Sequence, residues 1–224
     1  MRSQIESESI CMHLNEATLC FSASRLAPYL AAADGDEQTA LDLYIYNIEV
    51  SAAFWVGFSL LEVTLRNRVH DALTHRFGTE RWWEKTPLTG RESNSIAVAE
   101  QRCARYGEPG VGQIISEIGF GFWVGLLSTR HHAGMWLAGL ERIFSPTAPR
   151  RADVHAALQR LQRLRNRIAH HEPVYSRDLV NDHVLLLTAL NWLSPETSRW
   201  AAEHSRVSAI IRTSRRPRKP PLAR

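Results

Sequence analysis

Arg165, Asn166, His170 and His171 are the residues whose types and spacing point to chemistry, and they lie in the stretch Leu161 to Val174. Around them Val154, Leu158, Leu161, Leu164 and Ile168 recur at intervals of four and three, which predicts a helix with one inward face. At roughly 100° per residue, Arg165 projects inside that apolar stripe rather than on its rim. A guanidinium keeps its proton, so one aimed at apolar neighbours needs an anion, from the protein or from a ligand. Pro173 cannot continue the helix and biases Glu172 towards extended geometry, so the helix ends near the two histidines. A permanent cation then stands about one and a half turns before a group that titrates near neutrality, within reach of one cleft.

The string Arg165-Asn166-Arg167-Ile168-Ala169-His170-His171-Glu172-Pro173 resembles the signature of the HEPN superfamily, an Arg followed by a His after four to six residues with a polar residue directly after the Arg. Its longer form is similar to the abortive-infection (Abi-like) branch. Further matching segments come in order: Ala40-Leu41-Asp42-Leu43-Tyr44 with Asn47, Leu61-Glu62-Val63-Thr64-Leu65-Arg66-Asn67, Trp82-Trp83, and Gly119-Phe120-Gly121-Phe122-Trp123. The similarity covers about residues 19 to 192. The resemblance implies a metal-independent endoribonuclease acting in phage defence or as a toxin, active as a homodimer whose two motifs share one cleft. An antitoxin or other regulatory protein is a further partner that such a toxin implies. The superfamily also contains non-catalytic RNA-binding and protein-interaction forms.

Metal-free RNA cleavage needs a base for the 2′-hydroxyl, an acid for the leaving oxygen and stabilisation of the charge on phosphorus. His suits the first two roles and the Arg fork suits the third. Arg165 and His170 are the expected catalytic pair, with Asn166 orienting the His or the substrate and His171 as the second choice of histidine. The simpler reading is that Arg165 bridges helices through a buried carboxylate and His170 is a polar helix end. The adjacent histidines His170-His171 and His131-His132 point in different directions, lack one-turn spacing and have no acidic cluster, so they do not read as a metal site. No cofactor is expected, and no Gly-rich phosphate loop is present.

Upstream, residues from about Glu37 to His75 are helical in pattern and unusually apolar, with Gly78 as the stop and Gly57 as a point where the helix could bend. Asn47, Ser51, Phe54, Phe58, Leu61, Leu65 and Val69 share one side of it, with Glu62 at the edge. Asn47 and Glu62, polar on an apolar face, are the candidates to meet Arg165 or the histidines. Glu62 could instead pair with Arg66 one turn on. Arg66-Asn67-Arg68-Val69-His70 echoes the signature with one residue fewer, an echo better explained by coincidence than by duplication.

The remaining elements follow from breakers and caps. Ser22 or Ser24 caps a short helix through Leu30 with Pro28 in its first turn, and Asp34-Gly35-Asp36 ends it. Trp82-Trp83 is a packing anchor, Arg91 to Tyr106 a helix, Ile114-Ile115 and Phe120 to Leu127 apolar pieces, and His131 to Ile143 another helix. Asp153 is the expected cap of the signature helix, and Asp178 to Leu193 and Pro195 to Ile211 are two final helices. Trp123 and Trp136 read as core rather than base-stacking platforms. No alternation for strands appears, so the fold is all-α: a HEPN-like bundle over 19–212 with an N-terminal extension at 1–18 and a basic disordered tail at 213–224.

The 224 residues carry 44% hydrophobic and 22% charged side chains, the composition of an ordinary soluble globular protein with length to bury a core. The net charge of +4 belongs to the tail. Removing the seven cations from Arg206 to Arg224 leaves 20 basic against 23 acidic residues. Arg212, Arg215, Arg216, Arg218 and Lys219 are therefore the expected contacts to nucleic-acid phosphates, unless the tail is only a solubilising end. Cys11, Cys20 and Cys103 are odd in number and unpaired in spacing, the first residues lack an apolar leader, and the run Ser51 to Leu65 is too short for a span and holds Glu62. A cytoplasmic protein with no membrane partner is expected.

Overall fold

The computed structural model describes residues 13–213, and they are all-α: no strand occurs among them. Helices α1 (Leu14–Phe21) and α2 (Ala23–Ala32) precede the 41-residue α3 (Glu37–Phe77). Then come α4 (Gly90–Cys103), α5 (Val111–Glu117), α6 (Phe120–Gly125), α7 (Arg151–Ala169), α8 (Leu179–Leu193), α9 (Pro195–His204) and α10 (Val207–Thr213). Short 3-10 turns separate several of them.

Helix α3 is the axis. Asp36 caps it by accepting from Thr39 N at 2.7 Å, and Gly78 ends it with a left-handed φ of 69°. Its inward residues Phe54, Phe58, Leu61, Leu65 and Val69 are fully buried, and α2, α8, α9 and α10 pack around it. By length and composition α3 could cross a membrane, with a window of mean hydropathy 1.5. Of that window 39% is buried, on an aromatic and leucine face packed against the chain's other helices. Gly57 lets the Leu186 side chain of α8 pack against α3, since a Cβ there would lie 2.4 Å from Leu186 Cδ2.

Helix α7 carries the expected stripe, and Val154, Leu158, Leu161, Leu164 and Ile168 are all buried. It is tied to α8 by the fully buried Asp182, which accepts from Arg160 Nε at 2.8 Å and from Arg177 Nε at 2.8 Å. Two guanidinium groups satisfy a carboxylate that would otherwise be costly to bury. Trp82 and Trp83 are buried, and Trp82 Nε1 donates to His70 Nδ1 at 3.2 Å. Trp123 and Trp136 are core residues.

Four local expectations differ from the structure. Helix α2 starts at Ala23 because Ser22, not Ser24, accepts from Arg25 N, so Pro28 is its sixth residue and leaves only the carbonyl of exposed Ser24 without a helical partner. The stretch 131–143 is not one helix. It runs as a 3-10 turn (Thr129–His131), a π turn (His132–Trp136) and a 3-10 turn (Leu140–Ile143), with Gly134 and Gly139 weakening continuity and buried His131 held by Glu92. Arg150, not Asp153, is the N-cap of α7, and Asp153 accepts from the Arg150 side chain at 3.3 Å. The last helix splits at Ser205, whose hydroxyl is 2.8 Å from His183 Nε2. Helix α1 begins at Leu14 and buries Ala17 against Leu26 and Leu41.

Replacing Gly57 with Ala should destabilise the protein. The added methyl overpacks against buried Leu186 at a cost of about 1–3 kcal/mol, partly offset by about 1 kcal/mol of helix propensity. Urea unfolding should show the net loss, and a Gly57→Ala/Leu186→Ala double variant should lose less than the two single losses combined. Stability should also fall below about pH 6.5. Burial holds the pKa values of His70 and His183 below the usual histidine value. The unfolded chain therefore takes up protons first, and the histidine contribution is complete above the unfolded pKa and declines as pH drops towards the folded values. Denaturant midpoints at pH 8 and pH 5.5 measure this.

Candidate functional site

Arg165 leaves α7 towards α3 and meets Glu62, with Nε 2.6 Å from Oε1 and Nη2 3.4 Å from Oε2. Its guanidinium also lies over the Trp55 ring, 5.3 Å from the centroid. The two side chains are partly buried, 28% exposed for Arg165 and 22% for Glu62. Of the two candidates on α3, Glu62 thus supplies the anion that an inward Arg requires. The alternative pairing of Glu62 with Arg66 is not formed, and Arg66 Nε donates to Asn67 Oδ1 at 3.0 Å. The pair uses Nε and Nη2 of the guanidinium, and Nη1 makes no hydrogen bond among the described residues.

Asn47 has a different job. Buried on α3, its Oδ1 accepts from Val174 N at 2.6 Å and from Tyr175 N at 3.2 Å, and its Nδ2 donates to the Glu172 carbonyl at 3.4 Å. It thus clamps the backbone that follows α7 rather than either imidazole. The Arg25 guanidinium on α2 donates to the His171 carbonyl at 2.7 Å and to the His170 carbonyl at 3.5 Å. Arg167 Nη2 donates to the Pro173 carbonyl at 2.8 Å, and Arg167 Nε is 3.5 Å from the Glu172 carboxylate. Glu172 therefore supports the turn and does not face Arg165.

The end of α7 is a Schellman motif. Glu172 N donates to the Arg167 carbonyl at 2.8 Å and His171 N to the Ile168 carbonyl at 3.0 Å. His171 takes the left-handed position with φ of 54°, where glycine is the usual occupant. A strained backbone held by Asn47, Arg25 and Arg167 presents both imidazoles to solvent.

Arg165 stands where two clefts adjoin. The smaller, about 280 Å³, is lined by Trp55, Ser59, Glu62 and Val63 of α3 together with Ile118, Phe120 and Trp123. The larger, about 660 Å³, lies between α4, α6 and α7 and is lined on the α7 side by His155, Gln159, Gln162, Arg165 and Asn166. Arg165 and Asn166 both line it. His170 and His171 are not among the residues that line either cleft. Five residues along an ideal helix turn the chain by roughly 140°, which carries His170 off the face that Arg165 occupies.

The larger cleft contains residues the signature did not single out. His155, Gln159, Gln162 and Asn166 recur at four, three and four, a polar stripe beside the apolar one, and this periodicity was the signal available. Arg91 and Arg130 join them from distant parts of the chain. The His155 imidazole, half-buried, is held below its usual pKa by burial and by the Arg151 charge. Glu92 is the one carboxylate in the lining. Burial raises its pKa, but hydrogen bonds from Thr89 N and from His131 outweigh that and lower it. His131 is thus a buried partner of Glu92. Among the described residues, no three His, Cys, Asp or Glu side chains gather in a way that could hold a metal ion. Arg212 is exposed on α10, and Arg215, Arg216, Arg218 and Lys219 lie outside the described residues.

The clamp makes a prediction for two substitutions. Asn47→Ala strips the acceptor from two backbone N–H groups and should cost about 2–4 kcal/mol. His171→Gly relieves the left-handed position and should gain about 0.5–1 kcal/mol. Chemical denaturation of both variants beside the wild type checks the opposite signs.

No family model matches the chain, and no curated protein or solved structure matches it, so function is read from its own residues.

Proposed function

We propose that this protein is a metal-independent endoribonuclease of the HEPN type, with the Abi-like helical bundle of that superfamily, acting in the cytoplasm in phage defence or as a toxin. The observation that carries the reading is the state of Arg165. Glu62 accepts from two of its nitrogens, its Cζ lies over the Trp55 ring, and Nη1, with no hydrogen bond among the described residues, is left for a phosphate oxygen. Such prior orientation is what charge stabilisation on phosphorus needs, because little reorganisation remains for the transition state. Asn166 stands beside it to orient substrate. His170 and His171, exposed on a fixed turn, supply proton transfer.

The histidines of one chain do not line the cleft of its own Arg165, so the reading calls for a homodimer in which one chain's imidazoles meet the other's guanidinium. A surface suited to this lies beside the site. Ile45, Ile48, Val56 and Val63 form an exposed apolar stripe on α3, between 40% and 54% exposed, and Val63 also lines the smaller Arg165 cleft. An antitoxin or regulatory protein is a further partner on this reading, and the basic tail adds phosphate attraction without base reading.

A non-catalytic RNA-binding or protein-interaction module is the second reading. It is favoured by the same pair seen differently: Arg165 bridges α7 to α3 through Glu62 with no imidazole in the cleft beyond His155.

Incubating the purified protein with mixed RNA, with and without chelator, separates the two. Cleavage should survive the chelator. Arg165→Ala and His170→Ala should each lower it by about 100-fold or more while circular dichroism stays helical. Near wild-type cleavage by either variant overturns the assignment, and binding without cleavage by the wild type selects the module. Mixing excess His170→Ala chains with wild type should reduce activity faster than dilution if the cleft is shared. Activity proportional to wild-type chains would show that each chain works alone.

A further inference from the structure

The larger cleft has a composition that neither the Arg165–Glu62 pair nor the histidine turn explains. Gln159, Gln162 and Asn166 present three side-chain amides to it, and Arg91 and Arg130 present two guanidinium groups. None of these five side chains has a hydrogen-bond or ionic partner elsewhere among the described residues. The cleft's one carboxylate, Glu92, is turned to Thr89 and His131 and does not neutralise them. Arg160 and Arg177 are matched by Asp182, and Arg81 by Glu84 and Glu100, whereas Arg91 and Arg130 have no carboxylate partner among the described residues. The two free cations are therefore available to an anion from outside.

Shape supports a specific ligand. The cleft volume of about 660 Å³ is that of a small-molecule or nucleotide site. Along α7 its wall extends from His155 to Asn166, about 16 Å at the helical rise, which is longer than one nucleotide needs. The floor is α6, where Gly121 lets the Gln162 amide lie against the backbone, since a Cβ there would sit 2.5 Å from Gln162 Nε2. Phe120 and Phe122 of α6 are buried and offer no ring face for stacking. Amides that both donate and accept match base edges, guanidinium groups match phosphates, and unstacked single-stranded RNA exposes both.

We propose that the α4–α6–α7 cleft is a groove for single-stranded RNA, in which Arg91 and Arg130 hold phosphates and Gln159, Gln162 and Asn166 read base edges beside Arg165. This rests on the reading of Arg165 as facing RNA. It adds that the protein has a base preference and that this preference resides in α7, apart from the charge on phosphorus.

The test uses the full chain carrying His170→Ala, so that RNA stays intact, and fluorescence anisotropy with labelled oligo(A), oligo(U) and oligo(C) over a range of salt. Arg91→Ala/Arg130→Ala should weaken binding of every oligonucleotide by about tenfold or more and flatten the log–log salt slope by about 1.4, two phosphate contacts on a single strand. Gln159→Ala/Gln162→Ala should keep the slope and bring the affinities for the three sequences together, a loss of discrimination on the order of tenfold. Unchanged affinity and slope in the arginine variant, or an unchanged base preference in the glutamine variant, overturns the groove. Cleavage by chains with His170 intact is measured in parallel. If the wild type never cleaves yet the arginine variant loses RNA, the groove stands and the ribonuclease reading falls. If the wild type cleaves and the groove variants bind RNA as before, the ribonuclease stands and the groove falls.

Discussion

Asn47 is the single side chain on which the geometry of the site depends. An amide buried on an apolar helix face must find partners, and it finds the backbone of Glu172, Val174 and Tyr175, the three residues that flank Pro173. Because Pro173 has already ended α7, the chain there has backbone groups with no helical partner, and Asn47 satisfies them from 125 or more positions away. The clamp fixes the path of the chain after α7, and with it the left-handed His171 and the outward direction of both imidazoles. Arg25 closes the other side by bonding the two histidine carbonyls. Strain at one residue is thus held by contacts from α2 and α3 together.

The Arg165–Glu62 pair shows how one contact serves stability and chemistry with opposing demands. A carboxylate beside a guanidinium lowers the cost of tucking it between α7 and α3, and it also competes with any phosphate for the same charge. The geometry resolves this by occupancy of one edge. Nε and Nη2 bond Glu62 and Cζ lies over the Trp55 ring, while Nη1 has no hydrogen bond among the described residues. Asp182 forms the contrast. It is fully buried and takes both Arg160, which joins α7 to α8, and Arg177 from the turn that leads into α8.

Much of the fold was legible because local rules decide it. The length of α3 follows from Asp36, an uninterrupted helical pattern and Gly78, and the inward face of α7 follows from the spacing of Val154 to Ile168. Where the chain broke differently, a tertiary contact or weak local preference was the cause. His131 is drawn to Glu92, and the glycines at 134 and 139 do not sustain a helix. Ser205 is held by His183, so one expected helix became two.

The sequence by itself determined that the fold is all-α, that an inward Arg on α7 is followed directly by an Asn, and that the helix stops at two histidines before Pro173. It also determined that Arg165 must meet an anion, since a guanidinium among apolar residues has no other stable state. Only the tertiary structure decided that Glu62 is that anion, that Asn47 clamps a backbone instead of an imidazole, and that both histidines are exposed on a turn with His171 in the left-handed region. It alone brought Arg91 and Arg130 to the polar stripe of α7. The physical reason is range. Periodicity and capping act within a few residues and are written in local order, whereas the pairing of position 62 with 165, or 47 with 174, depends on how α3 and α7 pack.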